Sequence, residues 1–472
     1  MLLLTLLLRI VYLNHVLSYD EALNVLKIND YGSHNTVWTG LVSQHPPIYL
    51  GIGLLFQKIT HASIQNVALF LELLSILSSM AIVFLVYLCG KDWFNEKTGL
   101  LAAFFYAILP AARVFDSWIK QDAMMMALAL AFLLFFFRKK YVIAGLFLGM
   151  ALLAKEPVVF IIVAVGIFLL ISKRFKNILM LLLSSAIAVL ISGWWYLFFS
   201  KSTGGFINSF LGKSVESKTF AAPWYHFIVR VPQDVGLVVL ILSILAIVFF
   251  FISFKAERGG MIPFLLVWIL VIYAILSITP GKSPWVIHTV LPPFALLGGW
   301  GLARISELPK NSKLSSVVIG ISLLLALGLS LSTGFSGYMT KPDNNYEGWV
   351  QEERMMNYVN SKNPDSVMVT FDDLNPVMCY YLNNYSPEKT VYLPADLPVN
   401  AKFPNKTLYL IDPKTDFNVY KQRIKTVAPR ILIIANHPTL IEGFSKYDNP
   451  QEFRTGYVYD GHRIAADIKN GK

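Results

Sequence analysis

Two cysteines in 472 residues, Cys89 and Cys379, exclude a disulfide framework and a cysteine-based metal site. Charge is also scarce: Asp, Glu, Lys and Arg make up 15% of the chain, against 55% hydrophobic residues. So little charge excludes a disordered chain and an ordinary water-soluble one, and it points to a polytopic membrane protein. The opening residues lack a basic n-region and a small-residue cleavage site, so the apolar stretch 2–17 reads as a retained first helix and not a removed signal peptide. No internal repeat is visible.

The charge that is present is unevenly placed. From Lys341 onward there are 16 basic and 16 acidic residues, so the whole net charge of +11 lies before that point. An excess confined to the apolar part of the chain speaks for membrane orientation and lipid phosphates as partners, and not for nucleic acid.

Runs long enough to enter a bilayer recur up to about residue 332 and then stop. Candidate spans are 2–17, 67–88, 99–112, 122–137, 141–154, 157–171, 178–199, 235–254, 261–279, 285–303 and 314–332, about eleven in all. Basic clusters occupy alternate connections: Lys91 and Lys97, Arg138-Lys139-Lys140, Lys173-Arg174 with Lys176, Lys255 with Arg258, and Arg304 with Lys310 and Lys313. The positive-inside rule makes these connections cytoplasmic, and it places the remaining loops and the C-terminal region outside.

Every unusual polar residue then falls on the outer face. Asp20-Glu21 directly follows the first span, where a carboxylate pair needs water, a cavity or a partner. The alternative is a helix start, with Ser18 or Asp20 as cap and Glu21 favoured by the dipole. The long first outer loop, 18–66, reads as interfacial helices, with Pro46-Pro47 in the run His45-Pro46-Pro47-Ile48-Tyr49 marking a helix start. A second outer turn crowds Arg113, Asp116, Lys120, Gln121 and Asp122, the last also placed to cap the helix that follows. A third carries Lys155-Glu156-Pro157, as a neutralising pair or a phosphate contact. A fourth carries Gly281-Lys282-Ser283-Pro284-Trp285, with His288 beyond it. His45 is read as an interfacial histidine or a substrate contact, and Gly193-Trp194-Trp195-Tyr196 as an interfacial anchor.

The pattern changes at about residue 335. The part 335–472 reads as a soluble α/β domain, with helices over 347–360, 376–383 and 417–424 and short strands over 367–371, 390–393, 407–411 and 431–435. Its sequons at Asn384 and Asn405 are compatible with an outside location. Asp372-Asp373 and His437 are assigned no chemistry.

Together these features resemble the GT-C class of integral-membrane glycosyltransferases, in particular the branch containing dolichyl-phosphate-mannose protein mannosyltransferases and aminoarabinose lipid A transferases. The resemblance covers residues 1 to about 305 and rests on Asp20-Glu21 after the first span, His45-Pro46-Pro47-Ile48-Tyr49, the turn ending in Asp122, Leu153-Ala154-Lys155-Glu156-Pro157, and Lys282 with Pro292. The Lys282-Ser283-Pro284-Trp285 to His288 arrangement is similar to an archaeal subgroup. Many members carry an arginine shortly before the aspartate matching Asp122, where this chain has Ser117 and Trp118, and Lys155 is commonly followed by glycine, not Glu156.

The resemblance implies a membrane-embedded transferase moving a sugar from a polyprenyl or dolichyl phosphate to a hydroxyl on a protein, lipid or glycan acceptor, with inversion. Such chemistry needs a base at the acceptor and cations for the developing phosphate charge. By resemblance Asp20 is the base; Glu21 and Asp122 are the other candidate catalytic carboxylates, open as the second carboxylate that retention through a covalent intermediate would need. The substrate contacts come from His45, Arg113, Lys120, Lys155, Lys282 and His288. A divalent cation, Mg or Mn, bridging Asp20, Glu21 or Asp122 stays open, although no dedicated metal-ligand spacing is visible. A lipid-linked-sugar transporter or flippase is the alternative reading. It would bury charges too, but by repeated halves and helices broken near the midplane.

Overall fold

The computed structural model describes residues 1–13, 15, 17–34, 46–199, 222–252, 260–279, 282, 284–309, 311–332 and 346–362, with 366–370, 390–392, 407–411, 421, 424–425, 429, 431–434, 450–453 and 456–470 beyond them. By packing, the chain divides into two compact units. The first is Met1–Leu13 with Thr36–Asp343, and the second is Asn14–Asn35 with Asn344–Lys472. The division differs from the expected 334/335 in two respects: it falls after Asp343, and the segment Asn14–Asn35, carrying Asp20-Glu21, belongs to the second unit.

The first unit is helical: α1 Leu2–Ile10, α3 Ile48–Thr60, α4 Ile64–Trp93, α5 Glu96–Ile108, α6 Pro110–Phe115, α7 Asp122–Phe137, α8 Tyr141–Ala154, α9 Val158–Ile171 and α10 Phe175–Phe199. After these come α11 His226–Val235, α12 Leu237–Ile252, α13 Ile262–Ile278, a 3-10 segment Pro284–Val290, α14 Leu291–Ile305 and α15 Ser312–Ser332. The second unit holds α2 Tyr19–His34, α16 Tyr346–Ser361, six strands and α17 Gly461–Lys469.

The expected spans are helical over most of their described residues, with departures: α1 ends at Ile10, short of the expected Leu17, and the runs 99–112 and 285–303 are interrupted. Pro110 has no amide hydrogen and ends α5, so α6 begins there on a new axis. Gly236, at φ 84°, separates α11 from α12, which meet at a 108° bend. The run ahead of α14 starts as a 3-10 segment and becomes α-helical at Leu291, with Pro292-Pro293 in the first turn, where a proline costs no hydrogen bond. Among the described residues, four helices are long and apolar enough to cross a membrane, or five with the bent pair, and five more apolar helices are shorter.

The core of this unit forms around α7, which is apolar over nearly its whole circumference and buried along its length. Helices approach closely where side chains vanish. A Cβ on Gly299 of α14 would lie 2.7 Å from the backbone of Ala102 in α5, and one on Gly301 would strike the Leu242 carbonyl of α12. Such small-residue crossings replace the hydrophobic driving force that lipid does not supply.

In the second unit the strands are β1 Ser366–Thr370, β2 Thr390–Tyr392, β3 Thr407–Ile411, β4 Ile431–Ile434, β5 Gln451–Phe453 and β6 Gly456–Asp460. They form one sheet in the order β2-β3-β1-β4-β6-β5, the first four parallel and the last two antiparallel. The near-continuous apolar runs of β1, β3 and β4 suit parallel strands covered on both faces. The β5–β6 hairpin was not foreseen from the sequence. The expected helix 376–383, most of 417–424, the sequon residues Asn384 and Asn405, Asp372-Asp373 and His437 lie outside the described residues.

Candidate active site

The break at Pro110 sets up the polar turn. Because α6 has only six residues, the chain passes from α5 to α7 through one short turn that holds Asp116, Lys120 and Asp122. All three are buried, at 0%, 4% and 3% exposure, so each charge needs a partner. Asp122 is the first residue of α7 and sits beside the positive end of that helix. It makes no side-chain cap there. Both of its oxygens accept from Lys155 Nζ, at 2.8 and 2.7 Å. Lys155 reaches it because the chain leaves α8 at this residue in an extended conformation before Pro157 opens α9.

Asp116 is the hub. Its Oδ1 accepts from His288 Nε2 at 2.6 Å. Its Oδ2 accepts from Arg9 Nη2 at 3.2 Å and from the Ser79 hydroxyl. Arg9 in turn donates from Nε to Ser79 Oγ at 3.1 Å and from Nη1 to the Ala107 carbonyl. One carboxylate thus joins α1, α4, the end of α6 and the 3-10 segment. The other nitrogen of His288, Nδ1, lies 3.2 Å from the Trp285 carbonyl, so both ring nitrogens face acceptors, as in an imidazolium.

Lys120 turns to aromatic faces. Its ammonium lies 3.1 Å from the Trp285 ring centroid and 4.9 Å from that of Trp118, and the two indoles are 6.0 Å apart. Desolvated cation–π contacts of this kind contribute about 2 kcal/mol or more. Gln121 is 1% exposed, and its amide nitrogen has no protein partner among the described residues.

The structure thus brings together Lys120, Asp122, Lys155 and His288 of the expected site, with Asp116 among them. Two other expected contacts are engaged elsewhere. Lys282 donates its ammonium hydrogens to the carbonyls of Leu276, Ser277 and Thr279, closing the C-terminus of α13. Arg113 donates to the Tyr12 hydroxyl at 2.8 Å and to the carbonyl and hydroxyl of Ser330, tying α6 to α15. His45 lies outside the described residues. In the second unit, Glu21 is fully buried: it accepts from the Ser18 amide at 2.8 Å and sits 2.9 Å from His15 Nε2. That is the reach of a capping-box glutamate. Asp20, one residue earlier, is partly exposed.

Sequence reasoning passed over Arg9 and Ser79 and counted Asp116 without a role. The signal for Arg9 was present, since a lone arginine in an apolar run implies a buried acidic partner. Among the described residues no group of three metal-ligating side chains converges.

Residues 44–196 match the family described as dolichyl-phosphate-mannose-protein mannosyltransferase. No curated protein matches the chain in sequence. Among solved structures, ArnT from Cupriavidus metallidurans bound to undecaprenyl phosphate superposes with a TM-score of 0.67 at 13% identity, covering 97% of each chain. The Archaeoglobus fulgidus oligosaccharyltransferase in its apo form gives 0.57 at 14% identity, over 97% of this chain and 73% of that one. The same protein, AglB, with an inhibitory peptide and a dolichol-phosphate gives 0.53 at 12%, over 99% and 76%. The resemblance read from the sequence agrees with the family model matched over residues 44–196, and the fold is shared with ArnT and the Archaeoglobus fulgidus oligosaccharyltransferase.

Proposed function

We propose that this chain, with the fold of a GT-C membrane glycosyltransferase, transfers a sugar from a polyprenyl-phosphate donor to an acceptor hydroxyl on the outer face of the membrane, with inversion. The observation that carries the reading is the buried turn of Lys120 and Asp122 with Lys155, set at helix ends in an apolar scaffold, where an anionic headgroup meets fixed cations. Matched structures of this fold hold undecaprenyl phosphate or dolichol-phosphate, and one was solved with a peptide.

The roles follow from donor counts. Lys155 has three N–H bonds and spends two on Asp122, so one remains for a phosphate oxygen. Lys282 spends its hydrogens on carbonyls and acts as a helix cap in this arrangement. Lys155, with that hydrogen, and Lys120, the other cation of the buried turn, are the proposed phosphate cations, their field stabilising the leaving group as the glycosidic bond breaks. Asp20 is the proposed base, taking the acceptor proton as the hydroxyl attacks, while Glu21 holds the helix start that carries it. No step is routed through a metal. The 108° break at Gly236, with the buried Arg230–Asp234 pair at 3.6 Å beside it, is a feature a lipid-sugar transporter would share.

Incubating purified protein with dolichyl-phosphate mannose, undecaprenyl-phosphate aminoarabinose and related donors, with native membrane acceptors, separates the readings. Consumption of one donor is expected. Movement of a donor across vesicles without consumption would replace the transferase by the transporter.

A further inference from the structure

We infer that Asp116 and His288 form a buried clasp that positions the reaction turn, so that His288 acts through Asp116 and Trp285 and does not contact substrate. This rests on the transferase reading above. Two segments far apart in sequence must be held in register for the site to exist. One is the turn 116–122, carrying Lys120 and Asp122, and the other is the 3-10 segment carrying Trp285 and His288.

Two independent contacts join them. The first is His288 Nε2 to Asp116 Oδ1 at 2.6 Å, with both side chains buried to within 1%. The second is the Lys120 ammonium on the Trp285 ring at 3.1 Å. His288 also fixes its own segment, since Nδ1 faces the carbonyl of Trp285, the residue whose ring receives Lys120. A chain of contacts therefore runs from Asp116 through His288 to Trp285 and back to Lys120, and it closes on the turn where it began. Arg9 and Ser79 anchor the Asp116 end to α1 and α4, so the loop is fixed to the scaffold and does not drift as a unit.

The burial decides between clasp and substrate contact. His288 is 0% exposed, and both ring nitrogens already face protein acceptors. A sugar or phosphate would have to displace one of them.

The test compares wild type, His288→Leu and His288→Gln in turnover of dolichyl-phosphate mannose or whichever donor of the panel is consumed. In parallel, protein labelled with 5-fluorotryptophan is observed by fluorine NMR, the Trp285 resonance being identified by its loss in Trp285→Phe. The expected result for His288→Leu is a tenfold or larger fall in kcat with donor KM unchanged and a displaced Trp285 resonance. His288→Gln, which can still donate to Asp116, is expected to restore most of kcat and the resonance. A raised KM with unchanged kcat in His288→Leu overturns the inference in favour of direct substrate contact. Unchanged kcat and resonance also overturn it. Should His288→Leu not fold, Asp116→Asn replaces it, with the same fall in kcat expected and wild-type kcat overturning the clasp. Wild-type protein that consumes no donor fails the transferase reading instead, and the fluorine spectra then still decide whether the clasp exists.

Discussion

At the scale of single residues, what separates structural from chemical charges is how many of their hydrogen bonds are already made. Glu21 is fully buried and bonded to Ser18 and His15, the pattern of a structural charge, and Asp20, one position earlier, is partly exposed, so an acceptor can reach it. Asp20→Asn keeps the shape, so a fall in donor turnover of roughly a hundredfold or more, with intact folding by thermal melt, is expected for a general base. Near-wild-type turnover would remove it from the mechanism. Arg9 gives the opposite case. It makes contacts from Nε, Nη1 and Nη2 while fully buried, a fork that lysine does not reproduce. Arg9→Met leaves Asp116 with less compensation and is expected to cost about 3–5 kcal/mol, read as a lowered melting temperature in detergent. The sequence displayed Arg9 and Asp116 openly, but their pairing across 107 positions is a product of packing and was not legible.

At the scale of elements, the helix of Lys282 and the crossing of Gly301 carry the predictions. As a cap on α13, Lys282→Ala is expected to lower thermal stability by about 1.5–3 kcal/mol and leave donor KM unchanged. A raised KM with unchanged melting would return Lys282 to the phosphate. Gly301→Leu places a side chain where the Leu242 backbone already lies, so a large loss of folded protein is expected by size-exclusion yield, while Gly320→Leu, with open space around it, is expected to be silent. Where an element was readable, it was readable from a strong local signal. The helices Asp122–Phe137 and Tyr141–Ala154 and the strand Thr407–Ile411 fall on the expected residues because turn residues or charges bound their apolar runs. What was not readable were the breaks. Pro110 lies in a run whose hydrophobicity continues across it, α11 carries Arg230, Gln233 and Asp234 ahead of Gly236 and so reads as loop, and β5 and β6 lie in a polar stretch where pairing, not composition, makes the strand.

At the scale of the whole molecule, the alternation of basic clusters gives an orientation that can be tested directly. In a background with Cys89 and Cys379 replaced, a cysteine at Lys406 is expected to react with an impermeant reagent in intact cells, and one at Lys139 only after lysis. The reverse pattern would turn the molecule over. The lengths of the helices carry a different consequence. Tyr141–Ala154 and Val158–Ile171 have 14 residues each, so each rises about 21 Å. An ordinary hydrocarbon core is about 30 Å thick. Both helices show apolar side chains at their outer surfaces, among them Val142, Leu146, Val163 and Leu170, so acyl chains must meet them there. The cheapest accommodation is a dimple, with the leaflets drawn together around this side of the protein. Lipids in that dimple carry their phosphates inward, toward the depth of Lys155 at the junction of the two helices. A long-chain carrier would thus find its headgroup lowered by the membrane itself, and the protein would favour thin bilayers over thick ones as a place to reside.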